Sequence, residues 1–284
     1  MESGRISQTA VKVASTMVTL GAKPGWQARL PQQLPELSEQ LLLNAGLYPY
    51  SSRLLRIVKR PWAVRLGDLG ESLQPGTFEG LGKRKIFMDQ QVTAAIATGA
   101  TQVLVIGAGF DTLCLRLAPQ YPALHFVEID HPATAAAKRR AVEHLGRPPN
   151  LSLIAADLGA RPLSAVLGSC EGWDKREKSV AVAEGLLYYL SPGAVHELFA
   201  EFASSSGEAS RVAFSYLQEL EQHKLARLAL RFAGEPWLSA SPTEELAAYI
   251  GPDWRILEAP LVRRHHDLEG LAVAQKLAPG ESAN

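Results

Sequence analysis

The chain has 284 residues, 46% of them hydrophobic and 20% charged, so it can bury a sizeable core without disulfides or a structural metal. Lysine plus arginine and aspartate plus glutamate both total 29, which leaves no net basic field to favour nucleic acid or a membrane surface as partner. Because the two cysteines lack metal-ligand spacing and no apolar stretch is long enough to span a membrane, we expect a soluble, cytoplasmic protein without a metal site.

The N-terminal part of the chain is predicted to form an irregular helical cap, residues 1–75. Apolar residues follow a helical period from Ser7 to Leu20, and shorter helical patterns cover Leu37 to Ala45 and Ser51 to Val58. Proline and glycine residues interrupt the chain between these segments. A longer helix over Phe78 to Thr98 then leads to the first strand.

Short strands alternate with helices over residues 76–284. Val103 to Ile106 is an apolar run without polar alternation, which is typical of a parallel strand covered by helices on both faces. The alternation predicts an α/β fold with a doubly wound, seven-stranded, mostly parallel sheet, and a helical insertion at about 217–241. The later predicted strands are Leu124 to Asp130, Leu151 to Ala155, Ser179 to Glu184, Arg211 to Tyr216, Arg255 to Glu258 and Leu271 to Lys276. The predicted helices are Asp111 to Ala118, Pro132 to Leu145, Pro192 to Ala203, Leu217 to Phe232 and Pro242 to Ile250.

A glycine turn, Gly107-Ala108-Gly109, directly follows the first strand. Glycine lets the backbone turn sharply and approach a ligand without a Cβ atom, and Asp111 or Thr112 can cap the next helix. The turn therefore predicts a nucleotide site. A dinucleotide fingerprint would place a third glycine where Thr112 stands, which argues mildly against NAD.

Acidic residues follow the next three strands. Asp130 ends the second strand, where a carboxylate can accept hydrogen bonds from both hydroxyls of a ribose, in NAD or in S-adenosylmethionine. It could also cap the helix at Pro132. Asp157 and Glu184 follow the third and fourth strands, with a loop acid and a structural hydrogen-bonding partner as their alternative roles.

Four segments at these strand ends together resemble the leucine carboxyl methyltransferase family. The resemblance covers roughly Phe78 to Tyr216 and implies a class I methyltransferase fold that binds S-adenosylmethionine and releases S-adenosylhomocysteine. Members esterify the C-terminal leucine of a phosphatase or, in bacteria, methylate oxygen atoms of small molecules. The segments are Gly107 to Thr112, Glu128 to Pro132, Asp157-Leu158 and Glu184 to Leu190.

The resemblance also implies roles for individual residues around the cofactor. The glycine turn would lie near the methionine moiety, Asp130 on the ribose, and Asp157 with Leu158 around the adenine. The implied cofactor-binding set is Arg84, Gly107, Ala108, Gly109, Asp111, Asp130, Asp157, Leu158 and Glu184.

Arg84 matches a family arginine that contacts the carboxylates of cofactor and substrate, within the similar stretch Gly82 to Asp89. Lys83 and Lys85 remain alternatives, and a basic run on a helix can equally be a solvated face. The chain departs from the bacterial pattern at Leu113, where an arginine is common.

The chemistry of methyl transfer favours a carboxylate acceptor. Displacement at a sulfonium methyl group mainly needs positioning, and a carboxylate, with a pKa of about 4, is ionised without a base. Arg84 would orient it, and Tyr188 could line the acceptor site or be core packing, as could Tyr189, Tyr216, Phe232 and Trp237. A phenol, with a pKa of about 10, would need a base, and His131 is the only histidine in the matched motifs.

We therefore predict an S-adenosylmethionine-dependent O-methyltransferase that esterifies a small-molecule carboxylate, with Arg84 and Tyr188 as catalytic residues. The sequence does not predict an oligomeric state. The alternatives are methylation of a hydroxyl or phenol on the same fold, and a non-catalytic protein that binds S-adenosylmethionine.

Overall fold

The computed structural model describes residues 6–47, 50–60, 62–65, 77–219, 236–260, 269–278 and 280–281. Seven strands form one sheet within these ranges. They are β1 (Gln102–Ile106), β2 (His125–Asp130), β3 (Leu151–Ala155), β4 (Ser179–Ala183), β5 (Arg211–Leu217), β6 (Trp254–Glu258) and β7 (Glu269–Lys276).

The strand order is β3-β2-β1-β4-β5-β7-β6. The first five strands are parallel, whereas β7 runs antiparallel to both β5 and β6. The predicted α/β fold with a mostly parallel seven-stranded sheet is therefore confirmed. Because the strand order reverses at β1, a ligand is expected at the carboxyl end of β1, where such sheets open a crevice.

Helices cover both faces of the sheet. They are α1 (Gln8–Gly21), α2 (Leu34–Asn44), α3 (Ser52–Val58), α4 (Thr77–Ala97), α5 (Leu113–Leu117), α6 (Pro132–Leu145), α7 (Leu163–Gly168), α8 (Pro192–Ser204) and α9 (Leu246–Ile250). Short 3-10 turns occupy Ala118–Gln120, Leu187–Tyr189 and Thr243–Glu245.

The side chains of β1 show how the two faces are divided. Val103 and Val105 pack into one hydrophobic cluster, and Leu104 and Ile106 pack into another on the opposite face. All five residues of β1 are buried, as expected for a central strand without polar alternation. The apolar run in the sequence thus marks the middle layer of the molecule.

The N-terminal helices pack directly on the sheet domain. Val11 and Ala14 of α1 and Leu41 of α2 belong to the same buried cluster as Val103 and Val105. In addition, α2 packs against both α1 and α6. The first helices are consequently held close to the carboxyl end of β1.

The structure corrects several predicted element bounds. Leu217 is the last residue of β5 and does not begin a helix. The segment Leu163–Gly168 forms a helix that the sequence did not reveal, because six residues are too few to show a period. Residues 220–235 of the predicted helical insertion lie outside the described residues, and residues 236–241 have no regular secondary structure. No helix in the described parts of the chain has the length and apolar character needed to cross a membrane.

Candidate active site

The glycine turn after β1 adopts a backbone that favours glycine. Gly107 and Gly109 have φ angles of 67° and 47°, in the left-handed region. A Cβ atom on Gly109 would lie 2.8 Å from the Cβ atom of Ala10, and one on Gly107 would lie 3.1 Å from Leu186 Cδ1. Gly109 is therefore favoured by its conformation and by close packing, whereas Gly107 is favoured mainly by its conformation.

The backbone amides of the turn are all used by the protein itself. The N–H groups of Gly107 and Ala108 donate to the carbonyl of Ile129 at 2.8 and 3.1 Å, and that of Gly109 donates to the Asp130 carboxylate. A dinucleotide site needs such amides for its pyrophosphate. The turn therefore does not provide a phosphate cradle.

Asp130 is held at the end of β2 by two amides. Its Oδ2 accepts from Gly109 and its Oδ1 accepts from His131, so each oxygen retains a lone pair for a further donor such as a ribose hydroxyl. Burial raises the pKa of Asp130, although both hydrogen bonds oppose this rise. The N-cap of α6 is His131, so the alternative in which Asp130 caps that helix is wrong.

Arg84 reaches the carboxyl end of β4 from α4. Its Nε donates to Glu184 Oε1 at 2.8 Å, and its Nη1 donates to both oxygens of Glu269 at 2.7 and 2.9 Å. The Tyr188 hydroxyl lies 3.5 Å from Nη1. Burial opposes the charge of the guanidinium, but the two carboxylates outweigh it and raise the pKa of Arg84 well above its usual value.

Lys85 neutralises the acids on the other side of this cluster. Its Nζ bonds to the Asp111 carboxylate and lies 2.9 Å from Glu184 Oε1. Burial would raise the pKa of Asp111, but Lys85 holds it far below its usual range. Arg84 and Lys85 are both buried, so the basic run is not a solvated face, whereas Lys83 does not line the cavity. Asp111 also accepts from the Leu113 amide, but the N-cap of α5 is Thr112, the other residue predicted for that position, and its side chain makes no capping bond.

The charges around the turn fit S-adenosylmethionine. Two cations, Arg84 and Lys85, face three carboxylates, Asp111, Glu184 and Glu269. S-adenosylmethionine carries a sulfonium and an ammonium against one carboxylate, so an acidic surplus suits it. The same surplus would repel the pyrophosphate of NAD. The turn amides are already hydrogen-bonded within the protein, and the carboxylates outnumber the cations. Both features fit the predicted cofactor, S-adenosylmethionine.

A cavity of about 320 Å³ opens at the carboxyl ends of the strands. The structure places every predicted site residue on its lining. These residues are Arg84, Gly107, Ala108, Gly109, Asp111, Asp130, Asp157, Leu158, Glu184 and Tyr188. Tyr189 also lines the cavity, whereas the Tyr216 hydroxyl is buried against Thr243, and Phe232 lies outside the described residues.

One side of the cavity contains Asp157 and His131. Asp157 Oδ2 lies 4.0 Å from His131 Nε2, and its Oδ1 accepts from the Gly159 amide at 3.0 Å. The side chain of Asp157 is half exposed. Asp157 therefore both shapes its own loop and presents a carboxylate to the cavity.

Two features of the site were not foreseen from the sequence. Glu269 reaches Arg84 because β7 is antiparallel, so the first residue of β7 lies at the edge where the parallel strands end. The sequence signal that could have identified Glu269 is an acidic residue directly before an apolar strand. The other feature is the wall formed by the start of α1, where the amide of the N-cap Ser7 donates to Thr134 Oγ1 at 3.1 Å and Ala10 leaves no room for a Cβ atom on Gly109.

We expect Gly109→Ala to loosen the packing of α1 over the turn. Gly99 is a matched control, because it also has a positive φ but no atom within 4 Å of an added Cβ. Gly99→Ala should lower the free energy of unfolding by about 1–2 kcal/mol from backbone strain alone. Gly109→Ala should cost about 1–3 kcal/mol more from overpacking.

Urea unfolding measures both values, and a double-mutant cycle with Ala10→Gly isolates the contact. A positive coupling between positions 10 and 109 is expected. Equal losses of unfolding free energy for Gly99→Ala and Gly109→Ala, with no coupling, would contradict close packing between positions 10 and 109.

Comparison with known proteins agrees with this geometry. The sequence model of the leucine carboxyl methyltransferase family matches residues 49–203, more than half of the chain. A candidate S-adenosyl-L-methionine-dependent methyltransferase of Mycobacteroides abscessus is 30% identical over 232 residues, which cover 80% of this chain and 75% of the relative. A protein of the same description from Mycobacterium tuberculosis H37Rv is 28% identical over 248 residues, covering 83% and 69% of the two chains.

A solved structure supports the fold. The crystal structure of a candidate methyltransferase from Thermobifida fusca YX is similar with a TM-score of 0.57 and 20% identity, covering 87% of this chain and 99% of that one. The predicted family, fold and cofactor are confirmed by these matches. The chain belongs to the leucine carboxyl methyltransferase family of S-adenosylmethionine-dependent methyltransferases.

Proposed function

We propose that this methyltransferase esterifies a carboxylate of a small molecule. The observation that carries the proposal is the contact between Arg84 and Glu269, in which one guanidinium nitrogen binds both oxygens of a carboxylate beside the cavity. This contact supports a carboxylate-binding position beside Arg84. We infer that an acceptor carboxylate takes the place of Glu269 there.

Exposure and charge support this exchange. The side chain of Glu269 is 26% exposed, whereas those of Arg84 and Glu184 are only 5% and 6% exposed. Glu269 can therefore turn toward water while Glu184 continues to fix the guanidinium. Replacing one carboxylate by another leaves the charge of the cluster unchanged, which avoids the cost of adding an unpaired buried charge.

The groups on the cavity wall suit an acceptor that needs no base. Within the described lining, His131 is the one imidazole, and it lies beside Asp157. Burial raises the pKa of the Tyr188 hydroxyl well above its usual value, so this group stays protonated. Three further histidines, at positions 223, 265 and 266, lie outside the described residues.

The chain would hold the cofactor through the residues that the family resemblance implies. Asp130 would bind the ribose hydroxyls, Asp157 and Leu158 the adenine, and Glu184 and the glycine turn the methionine part. S-adenosylmethionine supplies a methyl group activated by its sulfonium sulfur. Arg84 stabilises a negative charge that the reaction consumes, so its benefit lies in orienting the acceptor oxygen toward the methyl carbon.

The acceptor class is tested by release of S-adenosylhomocysteine with carboxylic acids and with their matching alcohols and phenols. We expect turnover with carboxylic acids, at a rate that is flat above about pH 6, because an acceptor with a pKa of about 4 is already ionised. Turnover confined to phenols or alcohols, with a rate that rises toward a pKa of about 10, would contradict the carboxylate proposal.

The role of Arg84 is tested by Arg84→Lys, which keeps a cation beside Glu184 but loses the planar fork. We expect kcat/KM for the carboxylate acceptor to fall about 100-fold, corresponding to the loss of one charge-assisted hydrogen bond of about 2.7 kcal/mol. Lys83→Ala is the matched control, because Lys83 is the adjacent cation and does not line the cavity. Full turnover by Arg84→Lys would exclude the proposed role of Arg84 in orienting the acceptor carboxylate.

A further inference from the structure

Residues 51–65 form a strongly basic segment in a protein of zero formal net charge. The segment contains five cations and no aspartate or glutamate. Electrostatic attraction to a surface acts over about 8–10 Å at physiological salt, so a local patch matters more than the charge of the whole chain. The segment can therefore attract an anionic surface although the protein is neutral.

Helix α3 points its cations and one large apolar side chain away from the protein. Leu55 is completely buried and anchors the helix. Arg53, Arg56 and Ile57 follow a spacing of three and four residues, which places them on one face, and all three are exposed. The helix thus has an apolar inner side and an outer side that mixes arginine with isoleucine.

The next helical turn, residues 62–65, continues this pattern. Val64 is buried, and its amide donates to the carbonyl of Arg60 at 3.0 Å. Trp62 is 56% exposed, and Arg60 and Arg65 are exposed beside it in the chain. We call the exposed set Arg53, Arg56, Ile57, Arg60, Trp62 and Arg65 the basic-apolar surface.

The arginines of this surface are available for a partner. Lys59 is paired with Glu39 of α2. For Arg53, Arg56, Arg60 and Arg65, the described residues provide no carboxylate within salt-bridge distance. Ile57 is 47% exposed, so this segment exposes two large apolar side chains, Ile57 and Trp62, as well as its arginines.

We propose that the basic-apolar surface docks the enzyme on an anionic lipid surface. Exposed arginine interleaved with Trp and Ile on short helical segments is the pattern of interfacial binding, in which the cations meet lipid headgroups and the apolar side chains enter the headgroup boundary. A nucleic acid would satisfy the arginines but leave Ile57 in water. This docking is independent of the acceptor class and of the role of Arg84.

The test is co-sedimentation of the full chain with vesicles of phosphatidylcholine, with and without phosphatidylserine. We expect binding only to vesicles that contain phosphatidylserine, and weaker binding as salt is raised. The triple variant Arg53→Gln/Arg56→Gln/Arg60→Gln should lose affinity by on the order of 100-fold, since each arginine near an anionic surface contributes a factor of about five.

The matched control is Arg140→Gln/Lys175→Gln/Arg255→Gln, which removes the same charge from exposed positions elsewhere. It should bind like the wild type. Trp62→Ala should lower vesicle affinity about tenfold without changing the salt dependence, because it removes an apolar contact. Circular dichroism spectra and S-adenosylmethionine affinities that match the wild type verify that the variants are folded.

Four results would overturn the proposal. They are no binding to either vesicle, equal binding with and without phosphatidylserine, equal losses for the two triple variants, and binding of polyglutamate or duplex DNA without binding of vesicles. The last result would assign the surface to an acidic protein or to a nucleic acid.

Discussion

A buried ion network at one end of the sheet connects the parts of this protein. Arg84 and Lys85, adjacent on α4, bind carboxylates from the ends of β4 and β7 and from the turn after β1. Each buried charge is costly alone, so every member depends on its partners. The network therefore fixes α4 against three strands and places a guanidinium at the wall of the cavity.

The same region determines which class of nucleotide can bind, a dinucleotide or a sulfonium nucleotide. Proteins of both kinds bind their nucleotide at a strand-turn-helix motif. The amides of the turn donate hydrogen bonds to Ile129 and Asp130, and the surrounding side chains include more carboxylates than cations. A pyrophosphate would meet three turn amides that are already bonded and an excess of carboxylates over cations, whereas a sulfonium cofactor finds compensating acids. The glycine turn alone could not distinguish the two classes, but its hydrogen bonds and neighbours do.

The sequence predicted the strands and the acids at their ends because the carboxyl ends of parallel strands converge at one edge, whatever the details of packing. It placed Asp130 and Glu184 there correctly. It did not reveal Glu269, because only the antiparallel direction of β7 puts that residue at this edge. Nor did it reveal the contact of Ala10 with Gly109, since the position of α1 depends on tertiary packing that no local pattern encodes.

The cavity after β1 is expected to bind S-adenosylmethionine and its demethylated product rather than a dinucleotide. Isothermal titration of the purified protein with S-adenosylmethionine, S-adenosylhomocysteine and NAD measures this binding. We expect micromolar binding of the first two and no heat with NAD. Binding of NAD without binding of the sulfur nucleotides would contradict this expectation, and so would the absence of binding by all three.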